Sequence, residues 1–410
     1  MIEGDNKSDI CVILCMYYPY TDKEHFIHME LPYIAARFHK VIVIPVAVTP
    51  ADTKTYEMPS NVQCLPMQQG NGIKLKSEAV KVFFRHMRFF MKHARDKKSD
   101  LKYFALAAAV CRHLQASLPV EKMILHSFWF DYTVMAGLLF RKYNSQVKIT
   151  TQAHGYDLYE YRNKLGYLPF RNYMMSKIEA VYPCSKDGAK YLGRKYGKVN
   201  ANIKTAYLGT VGPEKRPPVQ KDASVFRIVT CSYLVEVKRI DRLIDALAVL
   251  DKKCDRKIVW DCIGDGELFE RLEKKAGNII NCIEVNFRGE MTNAEVLNYY
   301  LTHYIDVFVN TSESEGLPVS IMEAMSYWIP VIAPNVGGIQ EIIDNGINGI
   351  LLSRKCTTPE LARAISFMMN MEAEKMEYYK INARLKWEKM FDAVKNFNWL
   401  ADELKGISIL

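Results

Sequence analysis

At 410 residues, with 49% hydrophobic and 25% charged side chains, the chain exceeds one ordinary core and predicts two domains of about 200 residues each. Its net charge of +9 is uneven, with 29 Lys and Arg against 17 Asp and Glu over residues 1–200 and 26 against 29 over 201–410. Ten scattered cysteines with no C-x-x-C pair point to reduced thiols and a reducing cytosol, and no run reaches the near-twenty apolar residues of a membrane-spanning helix. The polar start and the short run Ile10–Met16 read as a strand, not as the core of a signal peptide.

In chain order, the first half predicts strands at 10–15, 41–46, 62–65, 123–126, 147–151, 180–183 and 203–207. Helical patterns fill 24–38, 76–94, 99–117, 131–143, 168–178 and 186–195, and this alternation argues for a parallel, doubly wound sheet. Residues 74–102 hold ten basic and three acidic side chains interleaved with Phe83, Phe84, Met87, Phe89, Phe90 and Met91. Such a segment suits an anionic membrane surface, or else packs its aromatics inward with Lys and Arg solvated. No fold motif supports nucleic-acid binding.

Gly209–Ser224, with Pro213, Pro217 and Pro218, reads as an exposed linker. A second alternation follows, with strands at 225–231, 257–263, 282–287, 306–310, 330–333 and 350–352. Its helices fall near 240–250, 267–276, 293–302, 318–327, 338–344 and 359–370, before a helix-prone tail at 373–408.

Candidate chemistry gathers after the strands. His154 follows Lys148–Gln152 and precedes Gly155 and Asp157; the carboxyl end of a parallel strand points into the crevice where ligands bind, although a histidine there also caps polar corners. Lys238 follows Phe226–Cys231; it is either a solvated loop lysine or a cation placed to neutralise a departing anion. Glu315-Gly-Leu-Pro-Val-Ser-Ile-Met-Glu323 sets two carboxylates eight residues apart around a loop-to-helix junction, a spacing that two glutamates on a solvated helix face also give by chance. Gly316 permits close backbone approach, and a helix start suits a phosphate. With sugar hydroxyls on the carboxylates, that junction suits a sugar nucleotide.

The stretch 312–352, S-E-S-E-G-L-P-V-S-I-M-E-A-M-S-Y-W-I-P-V-I-A-P-N-V-G-G-I-Q-E-I-I-D-N-G-I-N-G-I-L-L, closely resembles the C-terminal signature of retaining glycosyltransferases of family 4. Cys231–Lys238 resembles the family's strand-loop with a basic end, Ile263-Gly-Asp-Gly266 its second strand-loop, and Ala153-His-Gly-Tyr-Asp157 its His-Gly-x-Asp element. The resemblance implies a GT-B fold, an α/β pair of Rossmann-like domains facing across a cleft. The corresponding boundaries are an acceptor-side domain at 1–208, a linker at 209–224, a nucleotide-sugar domain at 225–385 and a C-terminal helix at 386–410 that crosses back.

It also implies roles. His154 stabilises charge at the reacting carbon, with Asp157 orienting its loop; Lys238 neutralises the diphosphate leaving group. Glu323 accepts the ribose hydroxyls, Glu315 contacts the transferred sugar, and the amides of Gly316 and Leu317 add to the grip. Gly264 admits backbone near the nucleotide, or simply makes a tight turn. Where the family usually has a second cation, an Arg, this chain has Tyr233; either Arg239 compensates or the phosphate relies on the Tyr hydroxyl and backbone amides. Thr21 takes the place of a small residue in a Gly-rich loop, and Trp328 stands where Gly is common. The expected partners are a UDP- or GDP-sugar donor and a saccharide or lipid-linked acceptor in surface polysaccharide assembly. No cofactor or metal is expected, and the expected setting is cytoplasmic, peripheral at the inner membrane face. A sugar-nucleotide 2-epimerase and a non-catalytic relative that binds nucleotide share these features.

Overall fold

In the computed structural model, residues 9–21, 24–49, 52–67, 84–197, 202–251 and 256–409 are described. They divide into two units, Met1–Tyr207 with Lys395–Leu410, and Leu208–Val394.

The first unit is built on strands β1 (Ile10–Cys15), β2 (Lys40–Pro45), β3 (Val62–Cys64), β4 (Met123–Ser127), β5 (Val147–Ala153), β6 (Ala180–Pro183) and β7 (Asn202–Ile203). All pair in parallel in the order β3-β2-β1-β4-β5-β6-β7, so the order reverses between β1 and β4. Loops leaving the carboxyl ends of strands beside such a reversal line a crevice. The central strands β1 (Ile-Cys-Val-Ile-Leu-Cys, buried at every position) and β2 (Lys-Val-Ile-Val-Ile-Pro) are largely apolar because both sheet faces are covered there.

Helices α1 (His25–Ala35), α2 (84–93), α3 (Lys97–Ser117), α4 (Tyr132–Arg141), α5 (Arg171–Met175) and α6 (Lys186–Tyr196) cover this sheet. Asp96, Asp131 and Ser185 cap α3, α4 and α6 by accepting backbone N–H groups of the first turn. The helix expected over 168–178 contracts to α5, because Phe170 takes a left-handed φ of 54° just before it. Part of the helix expected at 76–94 lies outside the described residues. In the described part, Phe90 is buried while Phe84, Met87 and Met91 are exposed beside Arg85, Arg88 and Lys92.

The second unit repeats the pattern with β8 (Val225–Cys231), β9 (Lys257–Ile263), β10 (Glu284–Gly289), β11 (Val307–Val309), β12 (Val331–Pro334) and β13 (Gly349–Leu352). They pair in parallel in the order β10-β9-β8-β11-β12-β13, with the reversal between β8 and β11. Its helices are α7 (Ile240–Asp251), α8 (Phe269–Ile279), α9 (Asn293–Thr302), α10 (Val319–Ser326), α11 (Ile339–Ile342), α12 (Thr358–Met369) and α13 (Ala373–Met390). Leu243, Ile244 and Leu247 of α7 are fully buried in a core with Ile228 and Trp260, each such aliphatic side chain adding roughly 1.5–3 kcal/mol.

The tail is two helices, not one. α13 stops at Met390 and α14 runs over Ala393–Ile409. At the break, Thr210 N–H donates to Phe391 O and Ala393 N–H donates to Thr210 O, while Trp387 Nε1 donates to the Thr210 hydroxyl at 2.7 Å. Thr210 is buried by these bonds, so the segment read as an exposed linker starts as a fixed part of the second unit; most of 211–224 is exposed. None of the nine described cysteines forms a disulfide; six, including Cys11, Cys184 and Cys356, are buried, Cys282 is exposed, and Cys254 lies outside the described residues.

Candidate active site

In the first unit the site forms on the loops after β1, β4 and β5. The Glu24 carboxylate gathers two of them: it accepts the backbone N–H groups of Met16 (3.0 Å), Tyr17 (2.6 Å) and Tyr18 (2.8 Å), and also Trp129 Nε1. Thr21 lies in the same loop, half-buried. Asp157 does the equivalent work for the β5 loop. Its Oδ1 accepts the N–H of His154 (2.9 Å) and Gly155 (3.0 Å), and its Oδ2 accepts the N–H of Phe130 (3.0 Å). Burial alone raises the carboxyl of Asp157; the bonds from His154 and the backbone amides outweigh it and hold the group below the usual range.

His154 is fixed from below. Its Nε2 lies 3.1 Å from Gln152 Oε1, and Gln152 Nε2 donates to both oxygens of the buried Glu30 at 2.8 Å. With the glutamine amide nitrogen on Glu30, its oxygen faces Nε2 of His154. Nδ1 is buried without a hydrogen-bond partner, 3.8 Å from Asp157 Oδ2. Phe128 and Trp129 hold the ring with centroids at 4.7 and 4.8 Å, and Tyr156, half exposed, stacks on Trp129 at 5.1 Å. Trp129 is therefore a wall of the histidine loop, half-buried and hydrogen-bonded. Burial pushes the carboxyl of Glu30 up to about 7, with the Gln152 bond working the other way. Gln152, Glu30 and Glu24 escape a sequence reading because their partners lie 122 and 105 residues away.

In the second unit the site forms after β8 and β11. Lys238 Nζ meets Glu315 Oε1 at 2.7 Å, and Asn310 Nδ2 donates to the same oxygen at 3.4 Å. Burial raises the Glu315 carboxyl, but the Lys238 ammonium and the hydrogen bonds pull it below its ordinary value. Gly316 and the buried Leu317 follow, and Pro318 occupies the cap position of α10, whose first amides have no side-chain cap. Gly337, at φ 54°, presses against this loop: a Cβ there would lie 1.9 Å from Glu315 O, and Gly338 N–H donates to Gly316 O at 2.8 Å.

Glu323 sits within α10, buried, with Asn293 Nδ2 donating to its Oε1 at 2.6 Å. Desolvation lifts its carboxyl to about 7. Asn293, the first residue of α9, was not among the sequence candidates. Gly264, at φ 130°, packs its Cα against Ser232 O of the β8 loop. Tyr233 is 63% exposed. Arg239, also left-handed at φ 50°, is engaged by Asp241 at 3.0 Å and by Glu313. Among the described residues no group of three or more His, Cys, Asp or Glu side chains converges as a metal cage, and no helix is long and apolar enough to cross a membrane.

Comparison with known proteins bears on both units. Residues 212–386, nearly the whole second unit, match the family model described as glycosyl transferases group 1. The chain is 26% identical over 254 residues to an uncharacterized glycosyltransferase of Methanocaldococcus jannaschii, covering 58% of this chain and 61% of that protein. It is 32% identical over 155 residues to an O-antigen biosynthesis glycosyltransferase of Escherichia coli, covering 37% and 41%. These matches thus span roughly two fifths to three fifths of the relatives' length. By fold, the chain is similar to a sucrose-phosphate synthase from Thermosynechococcus elongatus, with a TM-score of 0.74 at 15% identity over 98% of this chain and 99% of that one. The fold is GT-B, with two parallel-sheet Rossmann-like domains.

Proposed function

We propose that this chain, a glycosyltransferase of the GT-B fold, moves a sugar from a UDP- or GDP-sugar to a saccharide or lipid-linked saccharide with retention of configuration. The observation that carries the reading is the Lys238–Glu315 pair beside the uncapped start of α10. As the glycosidic bond breaks, negative charge grows on the departing diphosphate; the Lys238 ammonium and the first amides of α10 are fixed donors for it. Glu315 then receives hydroxyls of the transferred sugar, with the amides of Gly316 and Leu317 beside it. Glu323 receives the ribose hydroxyls on the oxygen that Asn293 leaves open. His154 lies beside the reacting sugar and stabilises charge at its reacting carbon, while Asp157, 3.8 Å from Nδ1, orients the loop. In this reading the protein supplies all the charge stabilisation, without a metal ion or other cofactor.

Surface polysaccharide assembly is the setting we propose, supported by the likeness to the O-antigen enzyme. The exposed Phe84, Met87 and Met91 among Arg85, Arg88 and Lys92 support attachment to an anionic membrane at the cytoplasmic face.

Thermal unfolding against a panel of nucleotide sugars tests the function, since a bound donor raises the midpoint by mass action. The expected result is a shift with one UDP- or GDP-sugar, followed by an axial product from an axial donor by NMR. A C2-epimer formed from the donor alone would instead identify an epimerase, and no shift with any donor would remove the proposal.

A further inference from the structure

Arg162 ends the short 3-10 turn Glu160–Arg162 that follows the histidine loop. Its guanidinium lies across Gly155: a Cβ built on that glycine would stand 2.6 Å from Nη1 and 3.4 Å from Cζ. Any side chain at position 155 would displace it. Arg162 is half-buried, and no hydrogen bond or ion pair holds its guanidinium among the described residues. The nearest acid in sequence, Glu160, is taken by Tyr196 and Lys195.

One neighbour shares this incompleteness. Arg171, 3% exposed, spends Nη2 on the carbonyls of Phe130 (2.6 Å) and Asp157 (2.7 Å), while its Nε and Nη1 find no partner. The corresponding cations of the second unit are all committed: Lys238 to Glu315, Arg239 to Asp241 and Glu313, and Arg242 to Glu313. The planar fork of a guanidinium that lacks an ion pair matches two oxygens of one phosphoryl group.

We propose that Arg162 binds a phosphoryl group of a reactant held at the His154–Asp157 loop, an inference that rests on the glycosyltransferase reading. The group belongs either to the donor diphosphate or to a phosphorylated acceptor. Gly155 is the residue that admits the guanidinium, and Lys164, exposed two residues on, adds to the local positive charge.

Titration calorimetry of the full-length protein with UDP, GDP and a hexose 1-phosphate tests this, on wild type, Arg162→Ala and Arg162→Lys. If the donor diphosphate is the ligand, Arg162→Ala weakens the nucleoside diphosphate about tenfold, the loss shrinks at high salt, and Arg162→Lys recovers part of it. If an acceptor phosphate is the ligand, nucleotide affinity stays constant and the hexose phosphate loses about the same factor. Nucleotide affinity unchanged within twofold overturns the proposal if the hexose phosphate is either equally unaffected or not bound by wild type, with unfolding curves showing an intact fold. A wild type that binds none of the three removes the glycosyltransferase reading itself, so the two failures are distinct.

Discussion

The ammonium of Lys238 stands 2.7 Å from the carboxylate of Glu315, one at the end of the β8 loop and the other just past β11, on the two strands where the sheet order reverses. Neither charge has to be desolvated anew when a substrate arrives. On the role proposed for Lys238, its removal strips the leaving group of a fixed donor, so Lys238→Ala is expected to lower kcat by about 10²–10³-fold with a smaller effect on donor affinity. It also leaves Glu315 buried and unpaired, so the midpoint of unfolding should fall as pH rises from 5 to 8. Steady-state kinetics with the donor found by the ligand panel checks the first outcome, and a pH series of melts the second.

Glu323, lifted to about 7 by burial, is part-protonated in the free protein at neutral pH. A carboxylate accepts two hydroxyl protons and a carboxylic acid does not. Nucleotide affinity should therefore strengthen as pH rises from 6 to 8, and Glu323→Gln should flatten that dependence while lowering affinity about tenfold at pH 8. Calorimetry at three pH values decides it.

Gln152, 3% exposed, holds the His154 ring through Nε2 at 3.1 Å. Gln152→Ala is expected to reduce kcat about 10-fold or more, with the donor KM nearly unchanged, whereas Gln152→Glu reverses the acceptor pattern toward Glu30 and destabilises the fold. A rise in donor KM with kcat preserved would show that His154 is not held through Gln152 for the chemical step.

Glu30 is a buried carboxyl raised from 4.5 to about 7. A raised folded-state value favours the protonated form in the fold, so its contribution to stability is complete below about pH 4.5 and is lost as pH climbs to about 7. Integrated over that window the loss is on the order of 3 kcal/mol. Glu30→Gln, neutral throughout, should overtake wild type in melting temperature as pH rises from 4.5 to 8; parallel curves would contradict this.

The exposed face of α2 yields a separate expectation. Liposome flotation should recover the protein with vesicles containing anionic lipid at low salt and release it at high salt. Arg85→Glu with Arg88→Glu should abolish recovery, and equal binding to neutral vesicles would remove the membrane assignment.

Much of this was legible in the residues. β1 and α9 begin and end where their apolar period and their flanking residues place them, and Lys238 and Glu315, 77 residues apart in sequence, do meet. What escaped depends on register and backbone sign. The Glu30–Gln152–His154 chain requires α1 to overlie β5, which no local pattern encodes. Trp328 had no account from sequence; it takes a left-handed φ of 59°, where glycine is cheaper, and Arg384 lies between it and Trp387, 4.3 and 4.4 Å from the two rings. Stacking on both rings offsets a backbone cost of about 1 kcal/mol.

The first unit is closed by α14. Leu400, Ala401 and Leu404 share a buried cluster with Ile27, Leu31 and Ile34 of α1, and Arg37 is bonded to Asn398 and Asp402. A ribosome therefore makes the first unit's sheet long before it makes the piece that seals it. While residues 208–394 are being added, at 5–20 residues per second, a greasy strip on α1 stays bare for ~10–40 s. In that interval the nascent chain is a client for holding chaperones, and a stop codon anywhere in α14 would release it unsealed.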